Sequence, residues 1–266
     1  MFSFLSRQAI APESAEWITA CHEWALANFD RRAFETHTRL VTPSKDFFPK
    51  RVKSPQEVAA YTFERVVELA GVKHWPFKLV APQDWLGQYQ PKQLGLECSQ
   101  RFVPAVSYSK DEFSLPISYH PEQLKKPEDL TATFAHIVAQ HMVIQARELP
   151  PGGEDYFLQA SEVLACFLGF GVMLANSAYT FRGGCGRCYN PMAIREASLS
   201  ESETVFSLAV FCKLKGVRNG EVFKYLKRYL RSDYKASLKQ LAKSDSAIFK
   251  PVVTEISNWS HVSGRS

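Results

Sequence analysis

The run VLACFLGFGVMLA, Val163 to Ala175, constrains this chain more than any other stretch. It is apolar throughout and too short for a membrane span, which needs roughly 20 residues. Extending it to that length admits Asn176, Ser177 and Thr180. A helix that is apolar on every face is stable in water only when it is covered on every side, so the run reads as the central helix of a core. Gly169 and Gly171 lie inside it, and glycine costs a helix about 1 kcal/mol relative to alanine. With Ala165 and Ala175, they predict the close approach of another backbone.

The rest of the chain can supply that cover. It has 266 residues, 45% of them hydrophobic and 22% charged, enough to bury a core without covalent staples. Net charge is +5, mildly basic. Of the six cysteines only Cys185 and Cys188 are closely spaced, which does not suit a secreted disulfide framework. The opening MFSFLSRQAIAPES has neither the basic start nor the long apolar stretch of a signal peptide. These features lead to the expectation of a soluble, cytoplasmic protein without a membrane partner.

Hydrophobic spacing places a helix over 14–34, where Trp17, Cys21, Trp24 and Ala25 recur on one face. Prolines and charge mark 39–55 as a loop. Ser54 and Glu57 form a capping-box pattern with Pro55 at the first helical position, opening a helix that runs to Leu69 and is stopped by Gly71. Strand-like runs follow at 77–81, 101–108 and 113–119; Pro104 and Pro116 mark sheet edges or bulges. From Pro127 the pattern is helical to about Glu148, broken by PPGG at 150–153, and helical again over 156–178. Helices over 200–215 and 220–243 close the pattern. The expected class is α+β in a single domain, 1–266, and mostly helical. N-terminal helices (1–72) precede a small antiparallel or mixed sheet (73–120), a closely packed helix pair (121–180), and a loop with a helical C-terminal subdomain (181–266).

The stretch FAHIVAQHMV, Phe134 to Val143, carries the chemical question. Zinc hydrolases of the HExxH type place two histidines at i and i+4 on one helix face, with a glutamate beside the first as general base. Here His136 is followed by Ile137 at the base position and Gln140 at i+4, while His141 sits at i+5. Five residues of regular helix turn the second ring about 140° away from the first. Isoleucine accepts no proton, and a neutral amide oxygen is a poor zinc ligand. Taken alone, His136 reads as a core histidine.

The wider context resembles a family of bacterial zincin-like proteins. PISYHPEQLKKPEDLTATFAHIVAQHMV is similar to the family's strand followed by a helix of the form TLAHELAHHLL. FLGFGVMLANSA is similar to its FLGFGVFLANSAF, and LSESETVFSLAVFCKLKG to its LSEPELAYALALFAWLRG. LVTPSKDFFPKRVKSPQEVAAYTFERVVELAGV is similar to its LPTPEFFPDRF…AQALFERVCELAGM. The likeness spans about residues 38–243. It implies a zincin-like helix pair at 127–148 and 156–178, with the first family ligand falling on His136, the base on Ile137, the second histidine on Gln140 and the acidic third ligand on Glu162. Those departures imply a non-catalytic member, a structural or binding module with no metal or other cofactor and with room for a protein partner.

Two further constellations remain. Cys185-Gly-Arg-Cys188 is a half-site spacing for zinc, a redox spacing, or a pair of free loop thiols. A metal-dependent hydrolase with a reshuffled site would draw its zinc ligands from His136, Gln140, His141, Glu162, Cys185 and Cys188, with Glu154 or Asp155 as base. Lys224, Lys227, Arg228, Arg231, Lys235 and Lys239 form a basic stripe with Tyr225 and Tyr229 interleaved. Such a stripe could bind a polyanion, but an ordinary solvated helix face is commoner, which disfavours nucleic acid without excluding it.

Overall fold

The computed structural model describes residues 8–85, 94, 100–103, 114–181 and 197–249. Helix α1 (Pro12–Asn28) starts on Pro12. The expected helix over 14–34 is broken: Asp30 takes a left-handed conformation, φ 57°, and caps a separate α2 (Arg31–Thr36) by accepting from the Ala33 amide at 2.9 Å. Asparagine and aspartate tolerate this conformation better than other side chains, so one residue ends one helix and starts the next.

Helix α3 (Pro55–Leu69) opens with the expected capping box. Ser54 Oγ accepts from the Glu57 amide, and Glu57 Oε2 accepts from the Ser54 amide, both at 3.2 Å. Gly71, φ 77°, turns the chain out of the helix. The described sheet is a single pair, β1 (Phe77–Leu79) and β2 (Leu115–Ile117). It is parallel, where the sequence suggested antiparallel or mixed. The long connection between the strands permits a parallel return, which a tight hairpin could not provide. Pro116 lies opposite Lys78 in a strand that, among the described residues, is paired on one edge only, where its missing N–H costs little. Residues 101–103 are not in a strand, and 104–108 lie outside the described residues.

Helix α4 (Pro127–Gln145) stops short of Glu148. The expected single helix over 156–178 is divided into α5 (Phe157–Ala165) and α6 (Gly171–Phe181) by a π-type turn at Cys166–Phe170. Gly169 causes the break. Its φ of 103° swings its carbonyl out of the helix to accept from the Val41 amide at 2.9 Å. A Cβ on Gly169 would run into the Arg39 carbonyl oxygen. The approaching backbone is therefore the 39–41 segment, not α4. Gly171 faces Leu208 instead, where a Cβ would stand 2.9 Å from a methyl group of that side chain.

By composition and length the stretch Gly153–Ala178 could cross a membrane, but 83% of its apolar window is buried inside this fold. It is the core. Helix α4 packs along α5 and α6, α3 covers α4, and α1 lies on α5 and α7 (Glu201–Lys215). Helix α7 has its own capping box, Ser200 with Glu203, and ends at Gly216, φ 63°. The expected helix over 220–243 is also two: α8 (Asn219–Tyr225) and α9 (Arg231–Leu241), separated by extended backbone at Leu226 and Lys227 and a short turn. The apolar core is continuous from Ile10 to Leu241. The chain is thus α+β and mostly helical.

Gly169→Ala tests this architecture. The left-handed backbone costs a residue with a side chain about 1–3 kcal/mol, and the Arg39 carbonyl blocks the added methyl. Urea denaturation is expected to show a loss of about 3 kcal/mol or more. Gly153→Ala, where a Cβ meets nothing within 4 Å, is expected to lose less.

Candidate functional site

The degenerate motif lies on α4 where that helix packs against α5. His136 is buried, and its Nε2 is 3.3 Å from the Leu158 carbonyl oxygen of α5. Leu158 is one turn before Glu162, so positions 136 and 162 sit on facing stretches of the two helices. Gln140 follows His136 one turn along α4, with its Nε2 3.5 Å from His136 Nε2. The carbonyl contact requires that ring nitrogen to carry a proton; the amide contact would use its lone pair. Either role occupies the atom that a metal would need.

Glu162 is fully buried. Its Oε2 accepts from the Ser198 amide at 2.9 Å and the Leu199 amide at 3.2 Å. The carboxylate thereby anchors the chain just ahead of the Ser200 cap of α7. Backbone amides are good partners for a buried carboxylate, since charge-assisted hydrogen bonds offset much of its desolvation. This anchoring role was not legible in the sequence, because nothing in the spacing of 162 and 198 announces it.

His141 is directed elsewhere. Its Nε2 is 3.2 Å from the Pro116 carbonyl oxygen of β2, and its ring meets Phe77 of β1 edge-on at 5.7 Å. The two histidines therefore leave different sides of α4, one toward α5 and one toward the sheet, as the i+5 spacing predicts. Burial pushes the His141 imidazole down to about 4. His22 of α1, bonded to Ser207 of α7 at 3.0 Å, is pushed down to about 3 by the same cause. Both are neutral polar pins between elements.

Among the described residues no three or more of His, Cys, Asp and Glu are grouped so as to hold a metal ion. Cys185 and Cys188 lie outside the described residues. Glu154 and Asp155 stand on the exposed turn before α5. Cys21 and Cys212 are buried, and burial raises both thiols, Cys212 to about 12; neither has the character of a nucleophile.

The basic stripe does not form one helix face, because the break between α8 and α9 divides it. Lys227 Nζ donates to the Asn176 carbonyl, and its own amide donates to Asn176 Oδ1 at 3.0 Å. Arg231 donates to the Leu226 and Phe223 carbonyls. Lys235 lies over the Phe223 ring, 5.4 Å from its centroid, and Lys224 over Tyr225 at 5.1 Å. Lys227 and Arg231 thus close the α8–α9 turn; Lys224, Lys227, Arg228, Lys235 and Lys239 are exposed, and Arg231 is partly buried.

Comparison with protein-family models, with curated proteins and with solved structures finds no match to this chain.

Sequence reasoning also missed two tryptophan anchors. Trp17 Nε1 donates to the Pro151 carbonyl at 2.9 Å and Trp24 Nε1 to the Glu148 carbonyl at 3.0 Å. Their spacing of seven placed them on one face of α1, but not against the α4–α5 turn.

Two expected outcomes follow from these contacts. Glu162→Ala leaves the buried Leu199 amide and the partly buried Ser198 amide without their acceptor, and an unmade buried hydrogen bond costs about 1–3 kcal/mol. Metal-free protein is expected to lose stability on that scale in chemical denaturation. His141 is neutral in the fold and titrates near 6.5 when unfolded. The unfolded state therefore binds more protons between those values, and stability is lost as pH falls from about 6.5 toward 4. His141→Gln, which can still donate to the Pro116 carbonyl, is expected to flatten that decline by at most about 1.4 kcal/mol per pH unit, measured as the pH dependence of urea unfolding.

Proposed function

We propose that this chain is a non-catalytic, zincin-like scaffold that serves as a protein-binding module. The observation that carries this reading is what has become of the four motif positions. His136 is engaged by the α5 backbone and Gln140, and Glu162 by the Ser198 and Leu199 amides. Ile137 offers no proton acceptor and packs against the core as a partly buried apolar side chain. Activation of a metal-bound water needs a metal held by free lone pairs and a base beside it; these positions supply structural contacts in their place.

The binding role is supported by what the helix pair exposes. Leu149, Tyr156 and Leu158 are exposed apolar residues on the α4–α5 turn and the start of α5. Tyr156 also contacts Trp17, ring centroids 5.4 Å apart. Apolar and aromatic side chains gathered at one end of a rigid helix pair suit recognition of another protein surface.

Elemental analysis of untagged protein, purified without added metal, tests the reading. Less than about 0.1 zinc per chain is expected, consistent with the weak ligands of the motif. Stoichiometric zinc that is lost in His136→Ala would overturn it in favour of a hydrolase with a rearranged site. The double variant Ile137→Glu with Gln140→His restores the base and the second ligand, and is expected to gain zinc. A variant that folds, by circular dichroism, yet stays metal-free removes the zincin-like assignment itself.

A further inference from the structure

The apolar residues at the α4–α5 turn stand in an acidic surround. Leu149, Tyr156 and Leu158 are 62%, 46% and 43% exposed. Tyr156 lies against Trp17 of α1, and the two α1 indoles bond the carbonyls at 151 and 148. Exposed carboxylates share this end of the molecule. Glu148 adjoins Leu149, Glu154 and Asp155 precede Tyr156, and Glu13 stands one turn before Trp17. None of these four forms an ion pair among the described residues.

These segments run against the composition of the chain, which has 32 lysines and arginines to 27 aspartates and glutamates. Helix α1 contains Glu13, Glu16 and Glu23 and no lysine or arginine. Residues 148–162 contain Glu148, Glu154, Asp155 and Glu162, again with no lysine or arginine. Glu162 is buried on its backbone amides and adds nothing to the surface; Arg147 is the neighbouring exposed cation. The patch is therefore net negative in a net-positive protein, and a partner's cations meet it without displacing an internal ion pair.

The position of the patch also constrains the partner's backbone. Helix α4 sends His141 toward β2 and His136 toward α5. The patch lies on the α5 side, so the described strands offer it no edge with which an extended chain could pair. Backbone groups removed from water need partners, and a helix supplies its own.

We propose that the α4–α5 turn docks a basic amphipathic helix of another protein, whose apolar stripe covers Leu149, Tyr156 and Leu158 and whose lysines or arginines face Glu148, Glu154 and Asp155. This deepens, and rests on, the binding half of the function proposed above. The apolar contacts supply the affinity, because exposed charges are screened beyond about 8 Å at physiological salt. The carboxylates set orientation and encounter rate.

Fluorescence anisotropy tests this with a fluorescein-labelled helical peptide of about 18 residues, roughly 27 Å long, carrying leucine at i, i+3, i+4 and i+7 and lysine elsewhere. Saturable binding is expected, and the same peptide with glutamate for lysine is expected to bind at least about tenfold more weakly. Leu149→Ser with Leu158→Ser, both at exposed positions, and Glu154→Lys with Asp155→Lys are each expected to raise Kd about tenfold or more. Glu16→Lys with Glu23→Lys changes net charge equally, but where α1 faces α9, and is expected to leave Kd within about twofold. Equal weakening by the two charge reversals, or no loss in the leucine variant, overturns the proposal. In sedimentation the free chain is expected to be monomeric. A larger species that Glu154→Lys with Asp155→Lys dissolves would assign the patch to a second copy, through the exposed lysines of its α9, and overturn it. The zinc measurement does not involve these residues, so a zinc-free chain that ignores the peptide overturns the docking proposal alone.

Discussion

The hydrogen bond from the Val41 amide to the Gly169 carbonyl holds the architecture together. A continuous helix through 157–181 would keep that carbonyl for itself. By breaking at Gly169, the central helix presents an acceptor to a segment between α2 and α3 that would otherwise cross an apolar surface with its backbone unpaired. An unpaired backbone group buried on such a surface is costly. The glycine therefore relieves the loop at the helix's expense, and α3, which covers α4, is tied in from the N-terminal side as a result.

Polar pins repeat this logic elsewhere in the core. His22 joins α1 to α7, His141 joins α4 to β2, and Glu162 joins α5 to the start of α7. Each comes from a residue type that also does catalytic chemistry, and each has a polar atom turned to a structural partner: Nε2 of His22 and of His141, and Oε2 of Glu162. Arg101 stands apart. Its Nε donates to the Ala70 carbonyl at the end of α3, while both Nη atoms are buried and have no hydrogen-bond partner among the described residues. Burial pulls this guanidinium down to about 10, opposed by Asp30, and we have no physical account of its retention.

Much of the fold was legible where the local signal was strong. Ser54 and Glu57 announced a helix start, Gly71 its stop, and the Val163–Ala175 run its own burial. The errors share a cause: periodicity extends smoothly across a break made by one backbone angle. Asp30 and Gly169 each reverse φ within an apolar pattern that continues on both sides, and Leu226 interrupts another. The parallel sense of β1 and β2 depends on a connection whose path composition does not encode. At the candidate site, the i+5 spacing showed that the two histidines diverge. What each polar group does instead depends on residues distant in the chain, such as Leu158, Pro116 and Ser198.

The two tryptophans of α1 carry one more consequence. Trp17 and Trp24 grip the α4–α5 turn through carbonyl oxygens at 151 and 148, groups that every amino acid supplies. Apart from Gly152, where the Tyr156 ring leaves no room for a side chain, and Gly153, whose φ of 69° strains any other residue, the bonds to the turn do not depend on which side chains it carries. Identity is required at the indoles, in a helix more than a hundred residues earlier. Variation in the turn is thus decoupled from its position, and its exposed face can change while the helices beneath it stay in register.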